Sequence, residues 1–192
     1  MKFGLISDTH GYFDPRLPEL FYGVDKILHA GDVGSREVLE GLGAIAPVAA
    51  VKGNIDSPEL NLPLSVVLQF GDVQAEMLHT LPVPQSRLEA WGSGGAPAQA
   101  RLAERERFVA CFQAATRLVV FGHTHRPCLV RCGSALFVNP GSAGRKRFSL
   151  PRCCARADVS RSALEINFLP LEGYNERVPG AMRLILGGSA LC

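Results

Sequence analysis

The sequence predicts an α/β fold, and three observations carry that expectation. Over the first fifty residues, short apolar runs of strand length alternate with helical patterns, the rhythm of parallel strands joined by crossover helices. The second half holds short apolar runs divided by Gly and Pro, which read as further strands. With 192 residues, 47% hydrophobic content and a net charge of only +2, the chain has the length and apolar share of a single folded domain over 1–192.

Residues 2–7 form the first apolar run, ending in a polar turn. A helix is expected over 17–22, and a strand over 26–30 closed by Gly31-Asp32. A helix over 35–42 would have Ser35 as N-cap and Val38, Leu39 and Leu42 on one face. Residues 47–51 read as a third strand ending at Gly53-Asn54. Runs 65–70 and 73–78 flank Gly71-Asp72, a hairpin signal.

The stretch 82–97 is rich in Gly, Pro and Ser, contains the only tryptophan, Trp91, and reads as a loop beside whatever site the fold builds. Residues 98–115 favour helix through Ala, Arg and Glu. Residues 117–121 give another strand, followed by Gly122-His123-Thr124-His125. Short strands are expected from 128 to 170, and 170–192 reads as a partly mobile tail.

So small a charge argues against a nucleic-acid-coating or membrane-surface protein. No apolar run reaches the ~18 residues needed to span a bilayer, and the N-terminus lacks an apolar segment of signal-peptide length. A cytoplasmic protein is expected. The six cysteines show no repeated Cys-x2-Cys spacing, so buried reduced thiols are expected rather than a zinc ribbon.

Metal-binding side chains recur at one kind of place, the carboxyl end of an expected strand. Asp8 and His10 follow the first strand, Asp32 the second and Asn54 the third. His79 ends the run 73–78, and His123 and His125 follow 117–121. Four of the five histidines stand in such positions. Ligands of open α/β sheets bind at the carboxyl ends of strands, so these side chains are placed to converge.

The ordered set resembles the calcineurin-like metallophosphoesterases, in particular their small bacterial and archaeal branch. The motifs that carry it are Ser7-Asp8-Thr9-His10-Gly11, Gly31-Asp32, Gly53-Asn54-Ile55-Asp56, His79, Gly122-His123-Thr124-His125 and Asn139-Pro140-Gly141-Ser142, so that it covers about 2–168. It implies a four-layer α/β/β/α sandwich of two mixed sheets with a dinuclear metal site. By that resemblance Asp8, His10 and His125 hold one divalent metal, Asn54, His79 and His123 hold the other, and Asp32 bridges them.

The implied activity is hydrolysis of a small phosphodiester by a metal-bridging hydroxide, with Asn54 helping to neutralise transition-state charge. A set rich in imidazole and poor in carboxylate suits manganese first, with nickel, zinc or iron as the other choices. The expected partner is thus a small phosphoester, not a membrane or a nucleic acid. Oligomeric state has no sequence signal.

Two positions depart from the family pattern. Ile55 stands where larger relatives place a His after Gly-Asn, and Leu81 replaces the second His of a Thr-His-Gly-His run. A rival reading of another class is a protein-binding scaffold on the same fold, as in the retromer subunit with a phosphoesterase fold. A scaffold is free to lose ligands, whereas all seven matches are kept here.

Four other features read more plainly. His29 is expected to be a satisfied core histidine, and Arg145-Lys146-Arg147 a solvated charge cluster. Trp91 is expected to pack on a neighbouring helix. Asp56 either orients a ligand histidine or caps the turn at Ser57-Pro58.

Overall fold

The computed structural model describes residues 1–92, 99–147, 149–173 and 177–186, without the side chains of 99–101. Two mixed sheets lie face to face between helices. The first has the order β11-β10-β9-β1-β2-β3 and contains β1 (Lys2–Ile6), β2 (Lys26–His29), β3 (Val48–Ala50), β9 (Cys153–Val159), β10 (Ala163–Pro170) and β11 (Met182–Ile185). The second has the order β4-β5-β6-β8-β7 and contains β4 (Ser65–Phe70), β5 (Val73–Leu78), β6 (Thr116–Val120), β7 (Cys128–Cys132) and β8 (Ala135–Asn139).

In each sheet the three strands that matter to the site run parallel: β1, β2 and β3 at one end of the first, β5, β6 and β8 in the middle of the second. Their carboxyl ends therefore face one edge of the sandwich.

The layers follow from alternation along the strands. Phe3, Leu5, Leu28, Ala75, Met77, Leu118, Val120, Leu136 and Val138 point between the sheets and form the central core. On the outer face of the first sheet, Ile6 and Ile27 meet Leu17 of α1 (Leu17–Leu20) and Val38 and Leu42 of α2 (Arg36–Gly43). Outside the second sheet, Val119 and Phe137 meet Leu88 of α3 (Gln85–Gly92) and Phe108 of α4 (Gln99–Val109). This gives the expected α/β/β/α order. Ser35 takes the cap position of α2 with extended backbone, but its hydroxyl caps no amide.

One expectation needs correction. The stretch read as a loop over 82–97 contains α3, while 93–98 lie outside the described residues. Leu88 and Trp91 are spaced to share one helix face; Leu88 is fully buried and Trp91 packs on Phe108 with ring centroids 5.3 Å apart. Pro84 sits just before the helix, where its carbonyl accepts from Arg87 N at 2.9 Å. A proline costs nothing there, because the first amides of a helix have no partner to lose.

Within 170–192, read as a partly mobile tail, β11 pairs antiparallel with β10 and buries Leu184. Residues 174–176 and 187–192 lie outside the described residues.

Among the described residues no helix is long and apolar enough to cross a membrane. Among the described residues five cysteines carry free thiols, four of them buried as expected, whereas Cys111, beyond the end of α4, is exposed.

Candidate metal centre

The seven predicted side chains meet at the shared edge of the two sheets. Asp8, His10, Asp32 and His125 offer ligand atoms that all lie within 4.8 Å of one another. His10 Nε2 is 3.1 Å from His125 Nε2, and His125 Nε2 is 3.4 Å from Asp8 Oδ1. On the other side, Asn54 Oδ1 lies 2.9 Å from His123 Nδ1 and 3.1 Å from His79 Nε2. Asp32 touches both groups: Oδ2 is 3.9 Å from His10 Nε2, and Oδ1 is 3.4 Å from His79 Nε2.

Left-handed backbone builds this cluster. Asp8, His10, Asp32, His123 and His125 have φ of 53°, 49°, 52°, 72° and 57°, and Asn61 is the one other non-glycine with positive φ among the described residues. Such residues cost about 1–2 kcal/mol each, so the surroundings must hold them.

Backbone hydrogen bonds do so by lacing the loops together. Asp8 N donates to Gly31 O, His10 N to Asp32 O, Gly122 N to His79 O and Gly144 N to Asp8 O, all at 3.0–3.1 Å. His123 N donates to the Asp8 carboxylate at 3.2 Å.

Four further side chains support the loops. Asp56, 5% exposed, accepts from Gly34 N through Oδ1 and from Gly53 N through Oδ2, both at 2.8 Å. It neither orients a histidine nor caps the turn at Ser57, whose own hydroxyl accepts from Glu59 N. Asn139 Nδ2 donates to Gly122 O at 2.9 Å, and Ser142 Oγ donates to Asp8 O at 2.8 Å. The Asn-Pro-Gly-Ser motif thus joins the loop of His123 to the loop of Asp8. Gln85, on the helix missed from sequence, accepts from Thr124 Oγ1 and from Asn139 Nδ2.

Hydrogen bonding also fixes which histidine nitrogen faces inward. The Ala30 carbonyl only accepts, so His79 Nδ1 donates to it at 2.8 Å, leaving the Nε2 lone pair turned to Asn54 and Asp32. This is how metal-ligating histidines are oriented.

Burial and neighbouring charges shift the titration of several of these groups. Burial pushes the Asp8 carboxyl up to about 7. Burial, then the neighbouring His10 and Arg147 charges, lower His125 to about 4, and burial followed by the Arg147 charge lowers His10. At Asp32 burial is outweighed by bonds from His79 and the Ile55 amide, leaving about 2. At His79 burial is outweighed by Asp32 and Ala30, and its pKa rises.

Imidazoles and carboxylates converging within ligand reach are the donor set a divalent transition metal takes. The residues fit such an ion.

The plainer features divide. His29 is fully buried, and its Nε2 bonds Thr9 Oγ1 at 2.9 Å. Since Thr9 Oγ1 donates to Val33 O, the proton of that bond belongs to His29 Nε2. Nδ1 is left buried without a partner, so His29 is only half satisfied. Lys146 pairs with Glu172 at 2.9 Å and Arg145 lies over the Tyr12 ring, so the basic run is more engaged than a solvated cluster.

Known proteins give the same picture. A family model described as the calcineurin-like phosphoesterase superfamily domain matches residues 1–162. A probable metallophosphoesterase of Methanocaldococcus jannaschii is 34% identical over 181 residues, which is 90% of this chain and 82% of that protein. The structure of YfcE, a phosphoesterase from E. coli, superposes with a TM-score of 0.58 at 23% identity, over 87% of this chain and 92% of that one. The structure of Vps29 with zinc from Entamoeba histolytica superposes with a TM-score of 0.66 at 22% identity, over 96% and 99%.

Proposed function

The chain belongs to the calcineurin-like phosphoesterase superfamily, and on that premise we propose that it hydrolyses a small phosphodiester with the help of two divalent cations. The observation that carries the reading is the position of Asp32, whose two oxygens face different halves of the histidine set. One cation would be held by Asp8, His10 and His125, the other by Asn54, His79 and His123, with Asp32 shared. Four imidazoles, two carboxylates and one amide favour manganese, with nickel, zinc or iron as alternatives.

Two such cations, when bound, supply Lewis acidity toward phosphoryl oxygens and a water that loses its proton near neutral pH. The chain's own residues do the rest. Against two divalent ions, Asp8 and Asp32 leave the site net positive, which attracts an anionic ester. With Asn54 Oδ1 turned to His79 and His123, the amide N–H groups of Asn54 remain to donate to a phosphoryl oxygen as its charge grows. No Ser or Cys belongs to the converging set, so water is the nucleophile rather than a side chain.

Ile55 is half exposed and has no proton to give, so esters with acidic leaving groups should react fastest. A protein-binding scaffold, the rival reading, would need no such convergence of ligands.

The test is hydrolysis of bis(p-nitrophenyl) phosphate beside p-nitrophenyl phosphate, by metal-stripped protein and then with Mn, Ni, Zn or Mg added. Turnover that requires metal, favours the diester and disappears in His125→Ala supports the reading. Metal-loaded protein that turns over neither ester faster than metal alone would sink it.

A further inference from the structure

Two clefts open from the half of the centre formed by Asn54, His79 and His123, and both are lined by Thr80. The first has a volume of about 300 Å³ and is walled by Leu81, Val83, Pro84 and Phe121, with His123 at its margin. The second, about 600 Å³, contains Lys52, Leu64 and Ser65 and has Asn54 and His79 at its margin.

The walls differ in chemistry. Apolar surface predominates in both, and in the first Leu81 supplies it where a His stands in related motifs. In the second, no hydrogen bond or ion pair engages the Lys52 ammonium among the described residues, so the cleft carries an uncompensated positive charge. A phosphodiester differs from a monoester in having two organic arms on phosphorus. A phosphoryl group held among Asn54, His79 and His123 has two adjoining clefts to receive them. Apolar burial selects one arm and charge complementarity the other.

Resting on the phosphodiesterase reading, we infer that the substrate is an asymmetric diester, with an apolar ring-sized arm in the cleft of Leu81 and Phe121 and an arm bearing negative charge in the cleft of Lys52. Leu81 and Val83 then set specificity for the first arm, and Lys52 for the second.

The test uses methyl p-nitrophenyl phosphate and p-nitrophenyl phosphorylcholine, which share a ring but differ in the second arm. In zinc-loaded protein, before measurable turnover, ligand-detected NMR should show the aryl protons of the methyl ester more strongly saturated than its methyl protons. Val83→Trp, which fills the first cleft, and Val83→Asp, which makes it polar, should each abolish that preference. Both should retain the circular dichroism and zinc affinity of the parent.

The cationic choline ester should bind and react at least tenfold worse than the methyl ester. Lys52→Glu should reverse that order. Equal saturation of both proton sets in the parent, or aryl saturation that survives both Val83 variants, overturns the first cleft. Choline discrimination that is absent, or indifferent to Lys52→Glu, overturns the second. The expected NMR pattern without turnover of any ester would remove the phosphodiesterase reading and leave the clefts as binding sites.

Discussion

The backbone amide of Ile55 donates a 3.1 Å hydrogen bond to Asp32 Oδ1, the oxygen that also faces His79. A position whose side chain brings no acid or metal-binding atom thus holds the carboxylate at the middle of the site. The contact belongs to the main chain, and the side chain is 49% exposed. Ile55→Ala should therefore leave manganese affinity within about twofold of the parent, the range of a neutral surface change. Calorimetric titration measures this, and a tenfold loss would contradict the backbone role.

Asp56 is the opposite case, since its function lies wholly in the side chain. Asp56→Ala leaves Gly34 N and Gly53 N without their acceptor. Gly53 N is buried, and an unsatisfied buried amide costs about 1–3 kcal/mol, while loss of a group that holds the ligand loops weakens metal binding about 10–100-fold. Urea denaturation should show the first effect and metal titration the second, with Asp56→Asn intermediate in both.

Gly144 carries no chemistry, yet a methyl group there would lie 2.7 Å from Asp8 O and 2.9 Å from Thr9 O. Both atoms are main chain and cannot rotate away. Gly144→Ala should destabilise the protein by about 1–3 kcal/mol and displace Asp8, so that metal affinity falls even though every ligand is present. Unaltered affinity in a variant that folds normally would show that the loop has room.

His29 sets a pH dependence that is separate from the metal chemistry. Burial, the first of its causes, lowers its pKa to about 4. Above its ordinary value near 6.5 both folded and unfolded states are neutral there, and the residue adds no slope. As pH falls from 6.5 to 4 only the unfolded chain takes the proton, so stability drops by about 3 kcal/mol over that window and then levels. His29→Gln should flatten that part of a stability-against-pH curve, measured by chemical denaturation.

Chelation offers a fifth check. Metal held only by the folded state at a hundred times its dissociation constant stabilises by about 2.7 kcal/mol. For a chain of this size that corresponds to a melting temperature lower by roughly 5–10 °C after chelation. Asp32→Ala should melt at one temperature with and without metal.

The seven ligand candidates were legible because each stands within a few residues of the end of an apolar run, where strand termini announce themselves. The paired strands around Gly71-Asp72 were legible for the same reason. The helix over Gln85–Gly92 was not, because Pro82, Pro84 and the glycines around it outweigh the two apolar positions, Leu88 and Trp91, that define its buried face. Met182–Ile185 escaped notice because an edge strand burying only Leu184 shows little alternation. The roles of Asp56, Gln85 and Ser142 depend on contacts across 22, 39 and 134 residues, and no local pattern encodes a partner so far away. His29 looked satisfied because sequence does not say which of two ring nitrogens finds a partner.

The left-handed backbone at Asp8, His10, Asp32, His123 and His125 has a consequence for how this gene would respond to selection. Glycine is the residue those five dihedral angles suit best. In a screen that scores only abundance in cells, glycine at His10 or His125 should rank at or above the original residue. In a screen for metal capture, those same substitutions should rank near the bottom. Comparing the two rankings would pick out the site without any substrate in hand, because its residues are the ones where the chain gives up durability for chemistry.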